Sequence, residues 1–212
     1  MKASFLAPVA LALVLGGCAR TGEIDASGGI TAVRSACPVV GVAAGTGDIT
    51  LFKTPGATDE GSIDLVANMT NVRGSCADSG ADIVTTVSFN VEARRTDTSA
   101  ARDVVLPYYI AIVRGGTNVV AKRVSRVNVH FDAGQARGQV AGEASATIAR
   151  SAATLSDEVR EKLTRRRKAG DEDAAVDPLT QPDVRQAVAS ATFEALVGFQ
   201  LTDAQLRYNA TR

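Results

Sequence analysis

Residues 81–94, ADIVTTVSFNVEAR, carry the plainest structural signal in the chain. Their side chains alternate between two faces for ten consecutive residues, and β-branched residues are enriched. This period of two is typical of a β-strand that is buried on one face. Ile83, Val87 and Phe89 share the face that we expect to contribute to the core.

Further strands are predicted on both sides of this one. Residues 62–76 form a long strand, and the turn that ends at Gly80 makes it an antiparallel neighbour of 81–94. Pro107 lies inside a third strand, and proline cannot donate to a ladder, so it indicates a sheet edge, a bulge or the strand's entry. That third strand spans residues 104–113. The other segments with strand character are residues 39–43, 49–52 (a strand or a bend), 119–131, 138–148 and 192–201.

Seven or eight short strands separated by turn residues predict a mainly β fold. We expect an immunoglobulin-like or fibronectin type III-like β-sandwich, and a small β-barrel is the alternative. Phe89, Val127, Val129 and Phe131 are the expected core residues, because each lies on the apolar face of its strand.

A helical insertion interrupts the strands before the last one, over residues 150–183. Ser156 is the predicted N-cap of a helix that runs to about Ala169. Residues 171–183 are acidic and contain prolines, so we expect them to form a mobile loop. The helix end carries the cationic cluster Arg165, Arg166, Arg167 and Lys168. The cluster is a candidate contact for anionic lipid headgroups or an acidic partner protein, or it is a solvated helix end that the acidic loop neutralises. The sheets do not need this insertion, so we expect deletion of residues 153–183 to leave a folded, membrane-bound domain and to remove its partner binding.

The composition excludes some classes of function. The formal net charge is +0, so no global basic field favours nucleic acid. After the amino terminus, no apolar run reaches the roughly 20 residues that span a bilayer. The length is that of one domain with a substantial core.

The amino terminus reads as an export signal. Met1-Lys2 precedes an apolar run from Phe5 to Leu15, and small residues follow it. The segment Leu15-Gly16-Gly17-Cys18 resembles the lipobox of bacterial lipoproteins. The resemblance implies cleavage before Cys18 and lipid on its sulfur and new amino group. The alternative is an ordinary signal peptide that contains a cysteine. The resulting division is a signal peptide (1–17), a lipidated N-terminus and flexible tether (18–36), and a β-domain (37–209).

A wider resemblance covers most of residues 37–209. Cys37-Pro38, Cys76, Leu106-Pro107-Tyr108-Tyr109 and the segment 197–202 together resemble uncharacterised alphaproteobacterial envelope lipoproteins. That likeness implies a location in the cell envelope and no particular activity. Ala19 follows the lipidated cysteine where an aspartate would retain a lipoprotein at the inner membrane. We therefore expect the outer membrane, facing the periplasm.

The two remaining cysteines form an even pair in an exported chain. An oxidising compartment favours a Cys37–Cys76 disulfide, and two free buried thiols are the alternative. A metal site is not expected, because two cysteines and one distant histidine lack ligand spacing.

The sequence shows little that indicates catalysis. His130 is the only histidine, and its position opposite Val129 and Phe131 predicts an exposed strand residue. No G-x-S-x-G segment is present. We therefore expect a non-catalytic envelope protein that needs no cofactor and binds a protein partner. The alternatives are a lipoprotein hydrolase with carboxylate chemistry and a small-ligand-binding lipoprotein.

Overall fold

The computed structural model describes residues 35–78, 80–165, 170 and 176–211. These residues form eight β-strands, four α-helices and two short 3-10 turns, at Glu60–Ser62 and Pro178–Thr180. The strands are β1 (Val39–Val42), β2 (Asp48–Phe52), β3 (Ile63–Asp78), β4 (Asp82–Arg95), β5 (Arg102–Arg114), β6 (Asn118–Phe131), β7 (Arg137–Ala149) and β8 (Phe193–Phe199). The helices are α1 (Arg150–Ala153), α2 (Asp157–Thr164), α3 (Pro182–Ser190) and α4 (Asp203–Thr211).

The strands form a sandwich of two four-stranded sheets. The first sheet has the order β1-β8-β5-β6, and the second has the order β2-β3-β4-β7. β4 pairs with β7 and β5 pairs with β8, which is how the B–E and C–F strand pairs of immunoglobulin domains are arranged. β1 adds to the first sheet in parallel with β8. The predicted mainly β sandwich, with a helical segment before its last strand, is confirmed.

β4 is the centre of the second sheet, as its alternating sequence indicates. It is paired along its length with β3 on one side and β7 on the other. Ile83, Val87 and Val91 are fully buried, whereas Ser88 and Glu92 on the opposite face are exposed. The predicted core residues Phe89, Val127, Val129 and Phe131 are all buried in one cluster that both sheets share.

Pro107 lies inside a central strand, so its predicted place at a sheet edge, a bulge or the entry of the strand is wrong. β5 has β6 on one side and β8 on the other. The carbonyl of Pro107 accepts from the backbone N–H of Gln200, one residue beyond the end of β8. The proline nitrogen therefore faces the same side, and the bond that it cannot donate falls at the end of the β5–β8 ladder and not inside it.

The helical insertion differs from its prediction in two respects. Ser156 does cap α2, but the helix ends at Thr164 rather than near Ala169. Residues 178–183 were expected to lie in a mobile loop, and they form a 3-10 turn and the start of α3. The prediction is wrong there because prolines initiate both elements.

The insertion also contributes to the buried interior. Ala153, at the end of α1, belongs to the hydrophobic cluster of the sandwich. Val184 in α3 is fully buried outside that cluster, where α2, α3 and the Pro178–Thr180 turn contact one another. The expectation that residues 153–183 are dispensable for folding therefore does not fit Ala153, because its removal would open the core.

A buried guanidinium closes one end of the sandwich. Arg95, the last residue of β4, is 3% exposed, and it stacks on the Phe131 ring. It donates from Nε to the carbonyl of Gln135 (2.8 Å), from Nη1 to that of Ala100 (2.7 Å) and from Nη2 to that of Asp132 (2.8 Å). One side chain thus fixes the loop from β4 to β5 and the turn from β6 to β7.

Phe89 packs against both sheets at the middle of the core. Its ring makes an edge contact with Tyr108 of β5, with 5.0 Å between ring centres. Gly142 of β7 is the register partner of Phe89, and a Cβ at position 142 would lie only 2.3 Å from the Phe89 ring. The ring occupies the space that a side chain at position 142 would need.

Gly142→Val should therefore overpack the core. We expect a loss of about 1–3 kcal/mol in the free energy of unfolding, measured by chemical denaturation. Ala141→Val is the matched control on the exposed face of the same strand, and it should change stability by less than about 0.5 kcal/mol. Equal effects of the two substitutions would show that Phe89 can move aside.

Candidate functional site

The structure describes only some of the predicted site residues. Cys18 and the cations Arg166, Arg167 and Lys168 lie outside the described residues. Arg165 is described: it is exposed and is the C-cap of α2, where its backbone N–H donates to the carbonyl of Glu161. Ala36, placed at the end of the predicted tether, packs against the core.

The predicted disulfide between Cys37 and Cys76 is confirmed, so the alternative of two free thiols is wrong. The sulfurs are 2.04 Å apart and the α-carbons are 6.1 Å apart. The bond closes a loop with a sequence separation of 39 residues, for which loop-closure entropy gives a stabilisation of about 4 kcal/mol. It ties the entry of β1 in the first sheet to β3 in the second.

A bulge in β3 sets up this link. Thr70 pairs with Asn90 and Arg73 pairs with Ser88. Two residues of β3, Asn71 and Val72, therefore lie opposite the single residue Phe89 of β4. Asn71 has a φ of 51°, a left-handed conformation that asparagine tolerates well. Beyond the bulge, Val40 of β1 packs so closely on Gly74 that a Cβ there would lie 2.5 Å from it. Cys76 is thereby brought to Cys37.

His130 lies on the exposed face of β6, as predicted, between two carboxylates. Its Nδ1 is 2.9 Å from Oδ1 of Asp103, and its Nε2 is 3.3 Å from Oδ1 of Asp132. Asn128 also donates to Asp103, at 3.1 Å. The hydrogen bond that His130 makes to Asp103, and then that to Asp132, raise the pKa of His130 above its usual 6.5.

The same contacts lower the pKa of Asp103, chiefly through His130 and then through Asn128. A histidine whose pKa is raised by folding stabilises the fold while it is protonated, below about 6.5, and this contribution is lost as the pH rises through the folded value. When His130 is protonated, its two ring nitrogens can donate one to each carboxylate. Among the described residues, no serine or cysteine hydrogen-bonds to His130 as a nucleophile would.

The titration of His130 can be measured directly. We expect a midpoint above 6.5 by NMR, because both neighbouring carboxylates favour imidazolium. Asp103→Asn should lower that midpoint more than Asp132→Asn does. An unchanged midpoint in Asp103→Asn would contradict the geometry.

A shallow depression lies on the outer face of the second sheet. It has a volume of about 850 Å³, and its walls include Asn68, Glu92 and Gln139. Arg94 of β4 and Arg137 of β7 lie directly opposite each other at its side. Like charges opposite each other in a sheet are unfavourable, and neither guanidinium forms an ion pair with a described residue.

The first half of β6, residues 118–126, is exposed on both faces, and we call it the basic edge. It pairs with β5 alone, so its other side is open. Val119 is 57% exposed, Val120 47% and Val124 51%. Because burial of a valine is worth about 1.5–3 kcal/mol, exposed valines grouped on one open strand indicate a contact surface.

The charges of the basic edge have one sign. It contains Lys122, Arg123 and Arg126 and no acidic residue. Lys122 lies over the Tyr109 ring, with Nζ 4.3 Å from the ring centre. None of these cations forms an ion pair within the part of the chain that the structure describes.

Two further observations concern metals and membranes. Within the described residues, no group of three or more His, Cys, Asp and Glu side chains is placed to hold a metal ion. No described helix combines the length and the apolar character that crossing a bilayer requires.

Comparison with known proteins yields no match: the chain corresponds to no protein-family model, no curated protein and no solved structure.

Sequence reasoning did not single out the basic edge or Arg95. The signal for the basic edge is Val119-Val120, because adjacent residues of a strand point to opposite faces and cannot both enter one core. Arg95 has no comparable signal, since its carbonyl partners lie in loops whose paths the sequence does not specify.

Proposed function

We propose that this protein is a lipid-anchored protein of the cell envelope whose β-sandwich binds a protein partner without catalysing a reaction. The segment Leu15–Cys18 supports the anchor and the export signal. The Cys37–Cys76 disulfide is typical of an exported chain. The observation that carries the proposed partner binding is the basic edge, where exposed valines and unpaired cations share one open strand.

The non-catalytic part of the proposal rests on the chemistry of the two polar sites. Asp103 of β5, His130 of β6 and Asp132, just after β6, form an exposed cluster that does not exclude water from a reacting group. The depression on the second sheet has one carboxylate in its lining, Glu92. Glycoside hydrolysis, the model for carboxylate chemistry, requires two.

A second candidate function is the binding of a small anion. It is favoured by Arg94 and Arg137, which lie opposite each other in the β4–β7 register and both line the depression, so that an anion could accept hydrogen bonds from both. Asn68 and Gln139 would supply hydrogen bonds in the same depression.

The anchor can be tested by Cys18→Ala. We expect this variant to lose metabolic labelling by an alkyne fatty acid and to leave the membrane fraction, because the thioether at Cys18 starts the modification. A variant with Cys37→Ser and Cys76→Ser is the control and should keep the label. Label retained in Cys18→Ala would refute Cys18 as the lipidation site. Separation of inner and outer membranes would show which one holds the protein.

Partner binding can be tested by photocrosslinking in intact cells. A crosslinking amino acid at Val119 should capture one recurrent envelope protein, because that side chain lies on the basic edge. The matched control is Thr147, an exposed residue on the outer face of the other sheet, which should not capture it. The absence of a specific product at Val119, with normal folding and membrane attachment, would contradict partner binding at this strand.

A further inference from the structure

The backbone of β6 presents hydrogen-bonding groups to solvent along the basic edge. The carbonyl of Pro107 accepts from Gln200, so Pro107 directs its backbone groups towards β8. Arg126 is the partner of Pro107 in the β5–β6 register. In an antiparallel pair of this kind neither residue bonds to the other, so Arg126 directs its N–H and C=O away from β5.

The same orientation recurs at every second residue. Val124 is the partner of Tyr109, and Lys122 is the partner of Ala111, with no break in register between these pairs and Pro107. Lys122, Val124 and Arg126 therefore all point their N–H and C=O groups to the open side. The alternate residues Arg123 and Ser125 use theirs in the ladder with β5. From Lys122 to Arg126 the basic edge therefore presents a row of donors and acceptors that β5 does not use, which is the template for an added strand.

We propose that the basic edge binds an extended, acidic segment of the partner protein as an additional β-strand of the first sheet. This inference rests on the proposed partner binding and specifies its chemistry. Main-chain hydrogen bonds to Lys122, Val124 and Arg126 would hold the segment. Carboxylates of the segment would pair with the cations, and its apolar side chains would cover the valines.

Charge selects this occupant over a second copy of the chain. Two copies paired through β6 would place Lys122, Arg123 and Arg126 against the same cations, and like charges across strands are unfavourable. Arg123 lies on the face of β6 that carries Val127 into the core, and an inward-pointing charge on an edge strand discourages pairing with a neutral strand. With an acidic strand, both the outward cations and the inward-pointing Arg123 would face carboxylates, so these charges would favour pairing.

The other sheet edges fit the role less well. β1 and β2 have four and five residues, too few for a long added strand. β7 is long, but it carries Arg137 and Glu143 and so has no charge preference. The basic edge alone among the described edge strands combines length, exposed valines and charge of a single sign.

The direct test follows hydrogen exchange of single amides in the full-length protein in detergent micelles. The probe is the peptide acetyl-TVEVEVEVT-amide, and the same peptide with lysine for glutamate is its control. The acidic peptide should slow exchange at Lys122, Val124 and Arg126 by about tenfold or more, because their N–H groups become bonded. Exchange at Arg123 and Ser125 should change little. No selective slowing at these three amides would overturn the proposal.

Two kinds of variant separate the backbone contribution from the charge contribution. Val124→Pro removes an N–H that faces solvent and leaves the β5–β6 ladder intact, so it should weaken peptide binding about tenfold or more while the domain stays folded. Val124→Ala keeps the N–H and should weaken binding less. Lys122→Glu with Arg126→Glu should reverse the preference to the lysine peptide, whereas Arg94→Glu with Arg137→Glu, an equal charge change elsewhere, should not.

Other occupants give different results. Binding to vesicles of anionic phospholipid that Val124→Pro leaves unchanged, without amide protection, would assign the cations to a lipid surface and overturn strand addition. Association of the protein with itself through β6 would also overturn it. If the crosslinked partner at Val119 survives both Val124→Pro and the charge reversal, the proposed partner binding stands and strand addition is wrong.

Discussion

The position of the two sheets at one end of the sandwich depends on the guanidinium of Arg95. A charged group is costly to bury, and here each described contact of the group is a carbonyl oxygen or the face of Phe131. Those carbonyls belong to both places where the chain changes sheet at that end, after β4 and after β6. Nearby, Arg102 on β5 makes a bidentate contact with Asp64 on β3 (2.8 and 2.7 Å), which lowers the pKa of Asp64. Electrostatics thus fix the end of a fold whose interior is held by valine, leucine and phenylalanine.

The predictable parts of the fold are the strands in which apolar and polar residues alternate, because that alternation indicates which face is buried. In β4 the apolar residues alternate because the strand is central in its sheet and one of its faces is the core. The same reasoning located Val127, Val129 and Phe131. It failed at Pro107, because the length of β8, which decides whether a donor is missed, is encoded almost a hundred positions later, at Phe199 and Gln200. It failed in the insertion because Pro178 and Pro182 were taken as signs of a loop when they begin helical turns.

The candidate site was harder to predict because it depends on register. The basic edge matters through which N–H groups face outwards, and this follows from the pairing of Arg126 with Pro107. The pairing of Arg94 with Arg137 is likewise a property of the β4–β7 register. The Cys37–Cys76 bond could be predicted from the even count of the remaining cysteines together with the expectation that the chain is exported. The bulge at Asn71, which makes that bond geometrically possible, left no clear pattern in the sequence.

The disulfide also determines how the domain would bear mechanical load. A pull on the chain before Cys37 is transmitted through the sulfurs to Cys76, near the end of β3, and not first to the four residues of β1. β1 is therefore bypassed, and its short ladder with β8 is not peeled apart while the covalent bond holds. The force enters the longest strand of the second sheet, which is paired with β4 over most of its length. Reduction of the bond would make β1 the first strand that the same tension reaches, so the oxidation state of one cysteine pair decides which strand receives the load first.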